Sequence, residues 1–255
     1  MDNSGPVIIL EDVSKKFKTK SGEEILALDS VSLKVKHREF VSIIGPSGCG
    51  KSTVLSLIAG LETPSKGNVY VDGEKVTGPN PSKISLMFQE HTLLPWRTLQ
   101  SNVEFGLEIR GIPKEERKEK AMKFLELVGL KGFENKYPRE VSGGMKQRAS
   151  LARSLVLDPE IILMDEPFGA LDEQSRIILG KELTTIWSKI RNTIVFVTHS
   201  IREAAYLSDR VIIFTKRPAK VAKEIFVDIP RPRTIGDEKL ASVERQIFEM
   251  LFDSK

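Results

Sequence analysis

The chain has 255 residues and a mass of 28.6 kDa, room for one or two domains at roughly 150 residues each. With 40% hydrophobic and 29% charged residues, 18 Gly and 13 Pro, it is neither disordered nor collagen-like nor a coiled coil. The net charge is only +4, from 39 Lys and Arg against 35 Asp and Glu, which gives no reason to expect a nucleic-acid partner.

Residues 1–5 are polar and no apolar leader core follows, so no signal peptide is expected. No run reaches the roughly 18 apolar residues of a spanning helix, and a soluble cytoplasmic chain is expected. The first forty residues alternate apolar and polar positions, as in Val31, Ser32, Leu33, Lys34 and Val35, which predicts half-exposed, mainly antiparallel strands. Residues 40–44 form an apolar run suited to a buried strand, 45–50 a loop, and 51–61 a helix with Leu55, Ile58 and Ala59 at helical spacing. Another strand is expected over 84–88. Residues of about 91–157 read as an inserted helical subdomain. Within it, 114–128 is a charged helix with Met122, Leu125 and Val128 on one face, Pro138 breaks the chain, and 143–157 is a second helix. Beyond it, strands over 161–164, 193–197 and 211–214 flank a helix over 173–190. Strands alternating with helices predict an α/β fold with a mostly parallel sheet, an N-terminal antiparallel β subdomain and the helical insertion, all within one domain spanning 1–255. Near the end, Lys216, Arg217, Lys220, Lys223, Arg231 and Arg233 face only Glu224 and Asp228. That stretch is read as solvated surface, with a membrane face or a phosphorylated ligand as alternatives. His37 and His91 are read as surface residues.

Three motifs carry chemistry. Gly45, Pro46, Ser47, Gly48, Cys49, Gly50, Lys51 and Ser52, followed by Thr53, satisfy G-x-x-x-x-G-K-[ST] between a strand and a helix. Such a loop turns its N–H groups around a phosphate, its Lys reaches the β and γ phosphates, and its Ser ligates Mg²⁺. The helix beginning at Lys51 adds its positive end. The second motif is the apolar strand of 161–164 running into Asp165 and Glu166. Asp165 at a strand's C-terminal end suits a Mg²⁺ held through water, and Glu166 suits a base for the attacking water. The third is Ser142, Gly143 and Gly144 at a helix start, either an anion nest or a plain N-cap. Cys49 is the only cysteine, which excludes an internal disulfide and any multi-cysteine metal site. Its side chain is expected to point away from the phosphates. It is either a small buried thiol or, because the loop opens without nucleotide, a reachable one activated by Lys51.

Taken in order, these motifs resemble the ATP-binding subunits of ABC transporters over essentially the whole chain, and the nitrate, sulfonate and taurine importer group in particular. The family signature is matched by Ser142, Gly143 and Gly144, with Met145 where Gln is commonest. The Q-loop glutamine falls on Gln89, the D-loop on Gly169, Ala170, Leu171 and Asp172, the switch histidine on His199, and the adenine-stacking aromatic on Phe17. The subgroup likeness rests on Leu93, Leu94, Pro95, Trp96 and Arg97, on Met145, and on Asp228, Ile229, Pro230, Arg231, Pro232 and Arg233.

The resemblance implies a P-loop NTPase core and an ATP hydrolase using ATP and Mg²⁺. It implies catalytic roles for Glu166, His199, Lys51 and Gln89, and Mg²⁺ ligation by Ser52, Gln89 and Asp165. It further implies a head-to-tail homodimer on the cytoplasmic face of the membrane, coupled to transmembrane permease subunits and indirectly to a solute-binding protein. Each ATP would lie between the 45–52 loop of one chain and 142–144 of the other, with Asp172 at the same interface. Trp96 lies where this family meets its membrane subunit, or else is core. The competing readings are a soluble ABC-type ATPase acting on nucleic acid or ribosomes, and a small-molecule P-loop kinase. Tandem cassettes, long coiled coils and zinc modules would mark the first, and a kinase has no use for Ser142 to Gly144.

Overall fold

The structure is a computed structural model that describes residues 5–89 and 92–252; His91 therefore lies outside the described residues. In chain order the elements are β1 (Pro6–Lys18), β2 (Glu24–Lys36), β3 (Phe40–Ile44), α1 (Lys51–Ile58), β4 (Lys66–Val71), β5 (Glu74–Lys75), β6 (Ile84–Met87), α2 (Leu99–Ile109) and α3 (Lys114–Leu127). There follow α4 (Gly143–Leu155), β7 (Ile161–Asp165), α5 (Glu173–Ile190), β8 (Thr193–Thr198), α6 (Ile201–Leu207), β9 (Arg210–Phe214), β10 (Val221–Phe226) and α7 (Glu238–Phe252). They gather into two compact units, one made of the residues up to 80 and from 192 onward, the other of residues 81–191.

The first unit contains an antiparallel sheet in the order β2, β1, β4, β5. Its long hairpin β1–β2 carries the expected alternation: Leu33 and Val35 are buried while Ser32 and Lys34 are exposed. Beside it β3 runs parallel to both β8 and β9, and β10 closes against β9 antiparallel. Every residue of β3, β8 and β9 is buried, as befits strands covered on both faces. Phe40 and Phe196 meet there with ring centroids 5.9 Å apart. The helix expected over 51–61 ends at Ile58. Gly60 turns the chain with φ of 72° and passes so close to Gly78 that a Cβ would lie 2.1 Å from its carbonyl oxygen.

In the second unit β6 and β7 pair in parallel, and α2, α3 and α4 supply the expected helices. The inner face of α3 is Ala121 and Leu125, continued by Val128, whereas Met122, expected on that face, is 46% exposed. Ala121 and Leu125 are four apart and Met122 sits about 100° round the helix from Ala121.

The basic stretch of 216–233 divides. Lys216, Arg217, Lys220 and Lys223 are exposed as expected. Arg233 is only 7% exposed and Arg231 half-buried, so the expectation of a wholly solvated surface is corrected: both guanidiniums turn inward onto main-chain carbonyls. No described helix is long and apolar enough to cross a membrane.

Candidate active site

In the first unit the phosphate loop joins β3 to α1. Its glycines have physical reasons that the spacing alone could not supply. Gly48 and Gly50 take φ of 69° and 128°, and a Cβ on Gly50 would stand 2.8 Å from Leu28. A Cβ on Gly45 would press on Phe214 at 3.0 Å. The Lys51 ammonium, 4% exposed, donates to the carbonyls of Gly45 at 3.0 Å and Pro46 at 3.1 Å, so the loop is wrapped around its own lysine. Ser47, Gly48 and Ser52 are exposed, with Pro46, Gly50 and Thr53 partly so. Cys49 is 1% exposed, and its thiol lies 3.1 Å from where a Gly45 Cβ would be. The reachable-thiol expectation is corrected to a small inward-packed side chain.

The register of the parallel strands brings a second residue to this loop. Ile44 pairs with Thr198, so Gly45 and His199 leave adjacent strands at the same level, at their C-terminal ends. His199 is exposed there. Thr198 donates to the Glu203 carboxylate at 2.6 Å, and the Ser200 hydroxyl caps α6 by accepting from the Glu203 N–H at 3.3 Å. Phe17, on β1 opposite Ile25, is 36% exposed with the Lys15 ammonium 4.9 Å from its ring centroid. His37, expected at the surface, is half-buried and lies 3.7 Å from Asp72.

The second unit repeats the device. Met87 pairs with Met164, so Gln89 and the acids Asp165 and Glu166 follow the C-terminal ends of neighbouring parallel strands. Glu166 adopts φ of 43°, a left-handed conformation that is rare for a non-glycine residue and costs about 1–3 kcal/mol. Its carbonyl accepts the Gly169 N–H at 3.0 Å. A Cβ on Gly169 would lie 3.6 Å from the Gln89 amide nitrogen and 3.9 Å from the Glu166 Cβ, so Gln89, Glu166 and Gly169 form one cluster. Asp165 and Glu166 are half-buried and Gln89 is exposed. No group of three or more His, Cys, Asp or Glu side chains converges as a metal cage among the described residues.

Ser142 is the N-cap of α4, its hydroxyl accepting from the Met145 N–H at 3.3 Å. Gly143 would bring a Cβ no nearer than 4.0 Å to Leu171, and Gly144 would meet nothing within 4 Å. Neither glycine is demanded by packing inside the described chain. Asp172 caps α5, accepting from the Ser175 N–H at 2.9 Å and its hydroxyl at 2.7 Å, and these bonds hold its carboxyl below the usual range. Trp96 is 72% exposed and is not core.

Sequence reasoning missed the side chains that hold the loop before α2. Asn102 is fully buried, accepts from the Leu94 N–H at 2.7 Å, and donates to the carbonyls of Leu94, Arg97 and Thr98. Arg153 of α4 donates to the Thr92 carbonyl and hydroxyl, each at 2.7 Å. A signal for Asn102 was present: it shares the helical face of Leu99 and Val103, where a polar residue needs partners.

The ABC transporter family model matches residues 28–169, more than half of the chain. An uncharacterized ABC transporter ATP-binding protein of Methanocaldococcus jannaschii is 49% identical over 96% of this chain and 91% of its own length. The nitrate import ATP-binding protein of a Synechocystis species is 43% identical, over 90% of this chain and 84% of that protein. An aliphatic sulfonates import ATP-binding protein of Bacillus cereus is 40% identical, over 95% and 94%. Among solved structures, a dimeric ATP-binding cassette in a post-hydrolysis state, bound to ADP and Pi, superposes with a TM-score of 0.77 at 35% identity, covering 88% of this chain and all of that one. With the phosphate loop, the paired strand ends and these likenesses together, the chain belongs to the ABC transporter family.

Proposed function

We propose that this chain is the ATP-hydrolysing, nucleotide-binding subunit that powers an importer of nitrate, a sulfonate, taurine or a similar small solute. The observation that carries the reading is the phosphate loop, with Gly48 and Gly50 at positive φ between a buried strand and α1. The import of nitrate and of aliphatic sulfonates is what two of the similar proteins are named for.

The loop's amides and the positive end of α1 bind the phosphates, and Lys51 turns from its loop carbonyls to the β and γ oxygens. Phe17 stacks on the adenine. The donors proposed for Mg²⁺ are the Ser52 hydroxyl, the Asp165 carboxylate and the Gln89 amide oxygen. This sparse, all-oxygen set suits an ion that keeps most of its ligands as water and phosphate. Bound there, Mg²⁺ would neutralise phosphate charge. Glu166 takes the proton from the water whose oxygen attacks the γ phosphorus, and the bond to the β–γ bridging oxygen breaks to release ADP. His199 and Gln89 orient the γ-phosphate and the water. Two chains close head to tail, with Ser142, Gly143, Gly144 and Asp172 of one facing the ATP of the other. The open space around Gly143 and Gly144 supports this reading, since it leaves room for a second molecule to approach their backbone. Closure shifts permease subunits between inward-open and outward-open states at the cytoplasmic face of the membrane, to which a solute-binding protein delivers cargo.

The test is Glu166→Gln, which keeps shape but removes the base. Turnover is expected to fall roughly 10²–10⁴-fold with ATP affinity retained. An ATP-bound dimer should accumulate, seen as doubled mass in light scattering. Wild-type turnover in this variant would remove Glu166 from the reaction.

A further inference from the structure

Two arginines that the proposed chemistry does not use converge on one end of the helix that follows His199. The Arg233 guanidinium donates through Nη1 to the carbonyls of Ala205 at 3.0 Å, Tyr206 at 3.0 Å and Ser208 at 2.7 Å. Arg231 donates through Nη2 to the carbonyl of Leu207. Carbonyls 205 to 208 are thus all taken by these two side chains. The last four carbonyls of a helix lack intrahelical donors, and here they are supplied by cations that also suit the negative end of the helix dipole. Arg233 further donates to Ile229 at 2.9 Å and Val227 at 3.1 Å, which staples α6 to the segment after β10. All five acceptors of Arg233 are main-chain carbonyls. Burial and the neighbouring Arg231 push its pKa down to about 10, so it remains a cation at neutral pH.

The clamp is anchored to the strand that leads into the phosphate loop. Arg231 pairs with Asp209, and the other Asp209 oxygen accepts from the Phe40 N–H at 2.9 Å, at the start of β3. Ser208 and Ser42 share a hydroxyl–hydroxyl bond. At the opposite end of α6, His199 sits in a turn fastened to the helix: Thr198 and Ser200 both bind Glu203. With seven residues α6 is about 10 Å long and too short to hold itself. Its buried Ala204, Ala205, Tyr206 and Leu207 pack it against β3 and α7. The groups gripping its two ends set its position along that packing, so a shift at one end is passed to Glu203 and the turn at the other.

We propose that Arg233, assisted by Arg231, is a positioning residue for ATP hydrolysis: it fixes the C-terminal end of α6 against the base of β3, and so steadies the turn between Thr198 and Ser200 from which the His199 side chain extends. This rests on the proposed role of His199 at the γ-phosphate.

The experiment measures single-turnover and steady-state hydrolysis of Mg-ATP by Arg233→Gln, Arg233→Lys, Arg231→Gln, His199→Ala and the Arg233→Gln/His199→Ala pair. Circular dichroism confirms folding at the assay temperature. Arg233→Gln is expected to lower kcat on the order of 10–100-fold with KM for ATP unchanged, since small misplacements of a reacting group have effects of that size. Arg233→Lys should recover part of the loss, because one ammonium cannot reach all five carbonyls. In the His199→Ala background, Arg233→Gln should cost nothing more, the signature of two residues acting as one unit. Should Arg233→Gln not fold, the Arg233→Lys and Arg231→Gln changes in the same two backgrounds carry the comparison. Full kcat in folded clamp variants overturns the proposal, as does an equal loss with and without His199. Wild-type turnover by His199→Ala would instead overturn the role given to His199, and the clamp's function with it.

Discussion

Cys49 lies inside the phosphate loop, yet its thiol is packed against Gly45 and only 1% exposed. A maleimide is therefore expected to leave the folded protein unlabelled and its ATP hydrolysis intact, while denaturant restores labelling; intact-mass spectrometry reads both. Labelling of the native protein in the absence of nucleotide would show a loop that opens far enough to expose Cys49. Ser142 poses a different question at the same scale. Its hydroxyl caps α4, but the glycines beside it face open space. Ser142→Arg places a long cation at that opening, so dimerisation and hydrolysis should be lost while one chain still binds a fluorescent ATP analogue. Normal hydrolysis by Ser142→Arg would mean that no second chain approaches 142–144.

Among the elements, α2 shows how a helix can organise the loop before it. Asn102 is fully buried on the Leu99 and Val103 face, and its amide binds four main-chain groups between Leu94 and Thr98. The loop is thereby held in one shape without strands of its own. Replacing Asn102 by Leu removes the partner of the Leu94 N–H and the Arg97 carbonyl, whereas the Leu94 and Thr98 carbonyls keep the N–H groups of residues 97 and 102. The cost is about 1–3 kcal/mol for each group that water cannot reach. Urea unfolding of Asn102→Leu should show a midpoint well below wild type. An unchanged midpoint would mean that the loop finds other partners. The phosphate-loop element behaves differently. Lys51 closes it locally by donating to Gly45 and Pro46, within seven consecutive residues, while Leu28 and Phe214 from distant strands crowd Gly50 and Gly45.

At the scale of the molecule, the loop held by Asn102 presents Trp96 with 72% of its surface exposed. In the proposed transporter this is the face toward the permease. Trp96→Ala should leave the stability and the basal ATPase rate of the isolated subunit unchanged, and should reduce solute uptake in vesicles holding the full complex. Loss of basal activity together with a lowered melting temperature would assign Trp96 to packing instead.

Much of this was legible in the chain alone. The buried strand of 40–44, the loop of 45–52, the acids 165 and 166 and the helix of 173–190 are each defined by contiguous residues, because glycine spacing, apolar runs and helical periodicity are local signals. The short helix α6 and the clamp on it were not legible. Their hydrogen bonds join residues some 25 positions apart, and nothing in two arginines separated by a proline says whether they face water or a helix end. Glu166 in a left-handed conformation was equally hidden, since only the surrounding fold can hold a glutamate there. The sequence by itself determined which groups can bind phosphate and move a proton. The tertiary structure alone decided that His199 stands beside Gly45 and Gln89 beside Glu166. Those neighbours are set by the register of parallel strands far apart in the chain, and register is a property of packed apolar faces rather than of any one segment.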